Sequence, residues 1–235
     1  MVSKMKGEDY NMDPALPTGY LLHTCWVRLW SMLWGRMRLH TLKSVMVHPT
    51  AVIRCSRRMH FGKGLDVGRR CYIDALSREG LVLGHHVSMG HYTHIQLTGS
   101  LHHVGMGMTV GNYVGLGTHG YYGSGKGRVK IGDHTIFGNY VSIHPENHNT
   151  DDPTRPIREQ GTYSKGGVTV GCRCWIGAKA TLLDGTDIGD DCIVAAGAVV
   201  SGTFPRGTVI GGVPARVLSV RPGFEKQSED KTAQE

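Results

Sequence analysis

The sequence predicts an all-β protein wound as a parallel β-helix, and three observations carry that prediction. From His60 onward apolar residues recur at every sixth position, a period that fits neither a 3.6-residue helix nor an alternating strand. The beat runs in sets of three: Phe61, Val67 and Ile73; Leu83, Met89 and Ile95; Val104, Val110 and Leu116; Ile131, Phe137 and Ile143. Val170, Ile176, Leu182, Ile188, Val194 and Val200 then follow without a slip. Extra residues fall only between sets, so each hexad reads as a short strand plus a corner, and three hexads close one triangular turn. The chain also holds 34 glycines among 235 residues with no collagen-like period, which suits a fold with many tight corners.

Residues 1–45 read as a tail followed by an amphipathic helix. Within Gly19 to His40, Trp26, Trp30 and Trp34 stand at i, i+4 and i+8, and Leu22, Leu29, Leu33 and Met37 widen the same apolar face. Arg28, Arg36 and Arg38 interrupt it, so it lacks the ~20 predominantly apolar residues of a membrane span. It starts too late, and without a small-residue cleavage site, to read as a signal peptide. Two roles stay open for it: lying on an anionic lipid surface with its tryptophans at headgroup depth, or packing on this protein's own body or on a sister subunit.

Residues 46–220 make the coil. Compact residues follow the beat four places later (Cys71, Val87, Thr93, Thr135, Val141, Cys174, Ala180, Cys192 and Ala198) and are expected to face inward. The glycine-rich stretch "GLGTHGYYGSGKG", Gly115 to Gly127, reads mainly as a flexible loop. The long interruption between Ile143 and Val170 leaves after a completed turn and returns in register, so a protruding loop of about residues 144–168 is predicted there. Residues 221–235, with "GFEKQSEDKTAQE", read as a disordered tail.

The net charge of +7 sits at the amino end: Met1 to Arg70 holds 12 Lys/Arg against 4 Asp/Glu, and the rest holds 14 against 15. No aromatic-rich nucleic-acid module accompanies it, so an anionic membrane face or an anionic small molecule is the expected partner, and nucleic acid is not. The six cysteines are scattered, which points to a reducing compartment. Cys172 and Cys174 form C-x-C with no second pair at zinc-ribbon spacing, so no metal site is expected.

The repeat, the "ENHN…PIREQG" loop and the run "GGVTVGCRCWIGAKATLLDG…IVAAGAVVSGTFPRGTVIGGVPARV" together resemble the left-handed β-helix (hexapeptide repeat) acetyltransferases, in particular their acetyl-CoA-dependent sugar O-acetyltransferase branch. The resemblance runs from about Phe61 to Val217, and the left hand is implied by it. It also implies a homotrimer with active sites between subunits, a carbohydrate acceptor, and a place in bacterial surface polysaccharide biosynthesis. His148 matches the family's general base, and a neutral imidazole suits removal of a proton from a hydroxyl near neutral pH. By the same resemblance Ala178, Ala196, Ser201, Gly202 and Arg216 match contacts to acetyl-CoA, Trp175 could flank its channel, and Asn147 and His119 fall on the acceptor side. Where the family often has Thr-Lys, this chain has Ser201-Gly202. His144 reads as a polar corner residue. The expected location is cytoplasmic, peripheral on the inner face of the cytoplasmic membrane.

Two competing functions fit the same scaffold. One is a zinc carbonic anhydrase-like enzyme, since the chain has 14 histidines, His85, His86, His91 and His94 among them; it leaves the loop and the C-terminal motifs unexplained. The other is a non-catalytic membrane-associated scaffold, against which His148, Trp175 and Arg216 argue.

Overall fold

A computed structural model describes residues 13–99 and 102–225. The amino-terminal residues 1–12 of the predicted tail and residues 226–235 of the predicted C-terminal tail lie outside the described residues. Short strands stack into three parallel sheets, the faces of a left-handed parallel β-helix. Face one has nine strands, from Val45–Val47 to Ala215–Val220; face two has seven, from Val52–Arg54 to Val199–Val200; face three has seven, from Met59–Phe61 to Thr203–Phe204.

The beat residues form three inward columns. Val67, Met89, Leu116, Phe137, Ile176 and Val194 line face one, and Leu83, Val110, Ile131, Val170 and Ile188 line face three; all are buried. On face two the column is Ile53, Ile73, Ile95, Tyr122, Ile143, Leu182 and Val200. The compact residues Cys71, Val87, Thr93, Thr135, Val141, Cys174, Ala180, Cys192 and Ala198 are likewise buried. Burial of the Cys71 thiol pushes its pKa up to about 11, as suits a core thiol.

Two sequence expectations are corrected here. Val104 is not a strand residue: the third set is Val110, Leu116 and Tyr122, and the extra residues precede Val110. Tyr122 escapes an apolar count because its ring carries a hydroxyl, yet it is fully buried and that hydroxyl has no partner. Gly120 makes room for it, since a Cβ there would stand 2.5 Å from the ring. The glycine-rich stretch is consequently not a loop. It contains the strands Gly115–Leu116 and Tyr121–Gly123.

Insertions all leave from one corner, between faces two and three, which we call the loop corner. They separate Ile73 from Leu83, Ile95 from Val110, Tyr122 from Ile131 and Ile143 from Val170. The other two corners keep a strict step and are held by left-handed residues. One column contains Arg70, Tyr92, His119, Tyr140 and Lys179, and another His86, Tyr113, His134, Arg173 and Asp191, all with φ between 52° and 61°. Such backbone disfavours most side chains. Here ring stacking accompanies it: Tyr92, His119 and Tyr140 stack at 4.8 Å, and His86, Tyr113 and His134 at 4.9 Å. These columns account for several of the histidines. His85 and His91 instead accept the backbone N–H groups of Lys63 and Arg69 through Nδ1.

Both ends of the coil are covered, which protects its exposed edges. At the amino end α1 (Thr18–Arg38) lies against the first strand, Val45–Val47. Ser31 and Gly35 are its buried residues, and a Cβ at Gly35 would stand 2.9 Å from the Val47 nitrogen, so a glycine is what permits this approach. Arg38 reaches the Ile53 carbonyl at 3.0 Å. At the other end Ala215–Val220 pairs antiparallel with Thr208–Gly212. Phe224, inside the segment expected to be disordered, sits between the Arg206 and Arg221 guanidiniums and over Gly207. Asp191 binds Arg173 and Arg206 nearby, and these guanidiniums hold its carboxyl down to about 2.

Candidate active site at the loop corner

The interruption after Ile143 is a short, clamped arm. Asn147–His148 pairs antiparallel with Thr162–Tyr163, with His148 opposite Thr162. Asp184, buried on the next coil, fixes both feet of this hairpin. Its Oδ2 accepts from Asn147 Nδ2 (2.8 Å) and the Lys165 N–H (2.5 Å), and its Oδ1 from Ser164 Oγ (2.7 Å) and the Gly167 N–H (2.9 Å). A buried carboxylate with this many donors is well compensated. At the tip, Gln160 closes the loop by accepting from the Asp152 N–H and donating to the Asp152 and Arg155 carbonyls.

His148 is exposed on this arm, and its ring takes no hydrogen bond from another side chain among the described residues. It lines a cavity of about 300 Å³ with Gln96, Tyr121, His144 and Glu146. The floor is made by Gly123, Ser124 and Gly125. Partial desolvation keeps the His144 imidazole below its ordinary pKa, and it pushes the Tyr121 phenol up, with the Glu146 charge as the second cause. The corner thus offers two exposed imidazoles, His144 and His148, beside a polar hollow.

The other predicted site residues sort by corner. Asn147, Ser201 and Gly202 share the loop corner with His148, although the Asn147 amide nitrogen is committed to Asp184. Ser201 and Gly202 are exposed, and Gly202 has φ +91°. His119, Ala178 and Ala196 stand on the opposite side of face two, at the corner between faces one and two. There Gly177 lets the backbones of successive coils close up, a Cβ at 177 falling 2.5 Å from the Ala196 nitrogen. His119 is sandwiched between two tyrosines at that corner and does not line the His148 cavity. Trp175 stands exposed on face one between Ile136 and Ile193, and Arg216 lies exposed on the return strand. One chain therefore separates His148 from the two alanines by the width of a face. Sequence reasoning missed Asp184 and Glu146. The signal for Asp184 was an acidic residue in "LLDGT" at the corner from which every insertion leaves.

Comparison with known proteins agrees with this architecture. Residues 167–202 match the family described as Bacterial transferase hexapeptide (six repeats). An Escherichia coli protein named for lipopolysaccharide biosynthesis O-acetyl transfer, WbbJ, is 27% identical over 172 residues, covering 71% of this chain and 74% of its own. The galactoside O-acetyltransferase of Escherichia coli is 31% identical over 94 residues, 38% of this chain and 43% of its own. A Mycobacterium tuberculosis protein named as a probable acetyltransferase is 38% identical over 93 residues, 40% of this chain and 31% of its own. For the last two the match spans less than half the relative's length. Among solved structures, a single-site mutant of AntD, an N-acyltransferase from Bacillus cereus in complex with dTDP-4-amino-4,6-dideoxyglucose and coenzyme A, aligns with a TM-score of 0.51. It is 13% identical and covers 86% of this chain and 95% of that one, a likeness of fold. The match to the bacterial transferase hexapeptide family thus falls on late turns of the coil.

Proposed function

We propose that this hexapeptide-repeat protein is an acetyl-CoA-dependent O-acetyltransferase acting on a sugar hydroxyl, with His148 as general base, in bacterial surface polysaccharide biosynthesis. The observation that carries the reading is His148 itself: exposed, on a hairpin pinned at both feet by Asp184, at the lip of a polar cavity. In this reaction the acceptor oxygen attacks the thioester carbonyl carbon while His148 takes the hydroxyl proton. The tetrahedral intermediate, its oxyanion held by a backbone N–H, then expels the coenzyme A thiolate, which recovers the proton from the imidazolium. The relatives named for O-acetyl transfer to sugars support the choice of acceptor class.

Acetyl-CoA would use Ala178 and Ala196, where small side chains leave the corner open to the pantetheine arm. Ser201, Gly202 and Trp175 would flank it, and the Arg216 guanidinium suits the nucleotide phosphates. Because the alanine corner and the His148 corner lie on opposite sides of face two, a homotrimer in which one copy's loop corner faces its neighbour's alanine corner would assemble the complete site. The test is His148→Ala, assayed by release of free coenzyme A thiol with a sugar acceptor. Turnover is expected to fall by about 10²–10⁴-fold with acetyl-CoA binding retained. Near-normal transfer by this variant overturns the assignment.

A second, independent feature concerns location. On α1 the apolar face points away from the coil, with Trp26 68% and Trp30 52% exposed beside Leu22, Leu29, Leu33 and Met37, and the helix carries arginines and no acidic residue. No helix among the described residues is long and apolar enough to cross a membrane. We read α1 as an interfacial helix that holds the protein on the anionic inner face of the cytoplasmic membrane. Flotation with phosphatidylglycerol-containing vesicles checks this: the wild type should float and Trp26→Ser/Trp30→Ser should not, and equal recovery of both in the soluble fraction refutes it.

A further inference from the structure

The charge of the cavity beside His148 carries an inference about which acceptors can enter. Its side-chain lining is Gln96, Tyr121, His144, Glu146 and His148, and among the described residues no lysine, arginine or second carboxylate joins them. Among the described lining residues, Glu146 is thus the one carboxylate, with no lysine or arginine beside it. Its carboxylate is built into place: Oε2 accepts the Lys126 N–H at 3.0 Å, and Gly125 leaves the space, since a Cβ there would stand 2.1 Å from the carboxyl carbon. The Lys126 ammonium forms no ion pair with it and is bound to the Thr162 carbonyl on the arm. A hydroxyl-bearing ring would meet acceptors and donors on Gln96, Tyr121 and His144, whereas a carboxylate or phosphate would meet like charge with no cation in the lining.

We infer that Glu146 is a specificity-determining residue that admits an uncharged sugar at the reacting position and excludes an anionic one. Any phosphate or uronate carboxylate of the natural acceptor then lies outside this cavity. This rests on the acetyl-transfer reading above and deepens it, because that reading leaves the acceptor's charge open.

The experiment compares wild type, Glu146→Gln and Glu146→Lys in acetyl-CoA-dependent thiol release with methyl β-galactoside, methyl β-glucuronide and glucose 6-phosphate. The wild type should favour the neutral glycoside by about tenfold or more in kcat/KM. Glu146→Gln keeps an oxygen for the Lys126 N–H, so the corner stays folded while the discrimination falls. Glu146→Lys should raise the ratio of anionic to neutral acceptor by a further factor of about ten. A merely structural role for Glu146 would lower all three rates together and leave the ratios unmoved, which overturns the inference. So does a wild type that uses the anionic sugars as well as the neutral one, or one that binds acetyl-CoA and acetylates none of the three. Failure to bind acetyl-CoA is a different result, since it overturns the acetyl-transfer reading itself.

Discussion

Inside the coil, Ile176, Leu182 and Val200 are fully buried, while on α1 Leu22, Trp26 and Trp30 are more than half exposed. The two regions draw on the same kinds of side chain and turn them in opposite directions. In the coil the apolar residues hold successive turns together across hydrogen bonds that run from one strand to the next. In α1 the closest contact with the coil is made by the small residues Ser31 and Gly35, and Leu22, Trp26, Leu29, Trp30, Leu33 and Met37 are left facing outward. The difference teaches that apolar content alone does not assign a residue to a core: steric access does. The edge of the first strand accepts a helix only where its side chains are short, so Trp26 and Trp30 fall on the side away from it, while Trp34, beside Gly35, is half-buried.

Substitutions can break or sharpen this contrast. Leu182→Ala leaves a cavity in the middle of a packed column and should cost about 2–5 kcal/mol in denaturant unfolding. Asp184→Ala removes the carboxylate that ties the arm to the coil and leaves the buried Gly167 N–H without that partner. It should cost about 1–3 kcal/mol, expressed as faster proteolytic nicking within residues 148–163 and a fall in acetyl transfer. Tyr122→Phe goes the other way: it deletes a buried hydroxyl that has no partner and should raise stability by about 1 kcal/mol or leave it unchanged. Trp30→Ser should change unfolding stability by no more than about 0.5 kcal/mol, because the ring contributes little to packing, and it should weaken vesicle binding. If Trp30→Ser proved as costly as Leu182→Ala, the contrast between coil and helix would fall.

Much of the coil was legible because each hexad repeats one local instruction, an inward residue followed by a corner. Val170 to Val200 could be placed residue by residue for this reason. The repeat was misread where a side chain disguised it: Tyr122 occupies a beat position, and the glycines around it accommodate its ring and the neighbouring coils instead of marking a loop. At the site, His148 and the arm that presents it could be identified from sequence, through resemblance. Asp184 and Glu146 could not, since each acts on residues 17 or more positions away, through contacts made only once the coils are stacked.

Sequence by itself thus determined the period, the corner from which insertions leave and the existence of the amphipathic helix, while His148 as base came from resemblance alone. Tertiary structure decided which face of the helix meets the coil, what pins the arm, what charge stands in the cavity, and that His148 and the two alanines occupy different corners. The physical reason lies in the range of the interactions. A six-residue period is written into neighbouring residues, whereas contacts between coils depend on the summed lengths of the insertions between them, and those lengths become positions only when the chain has wound around its core.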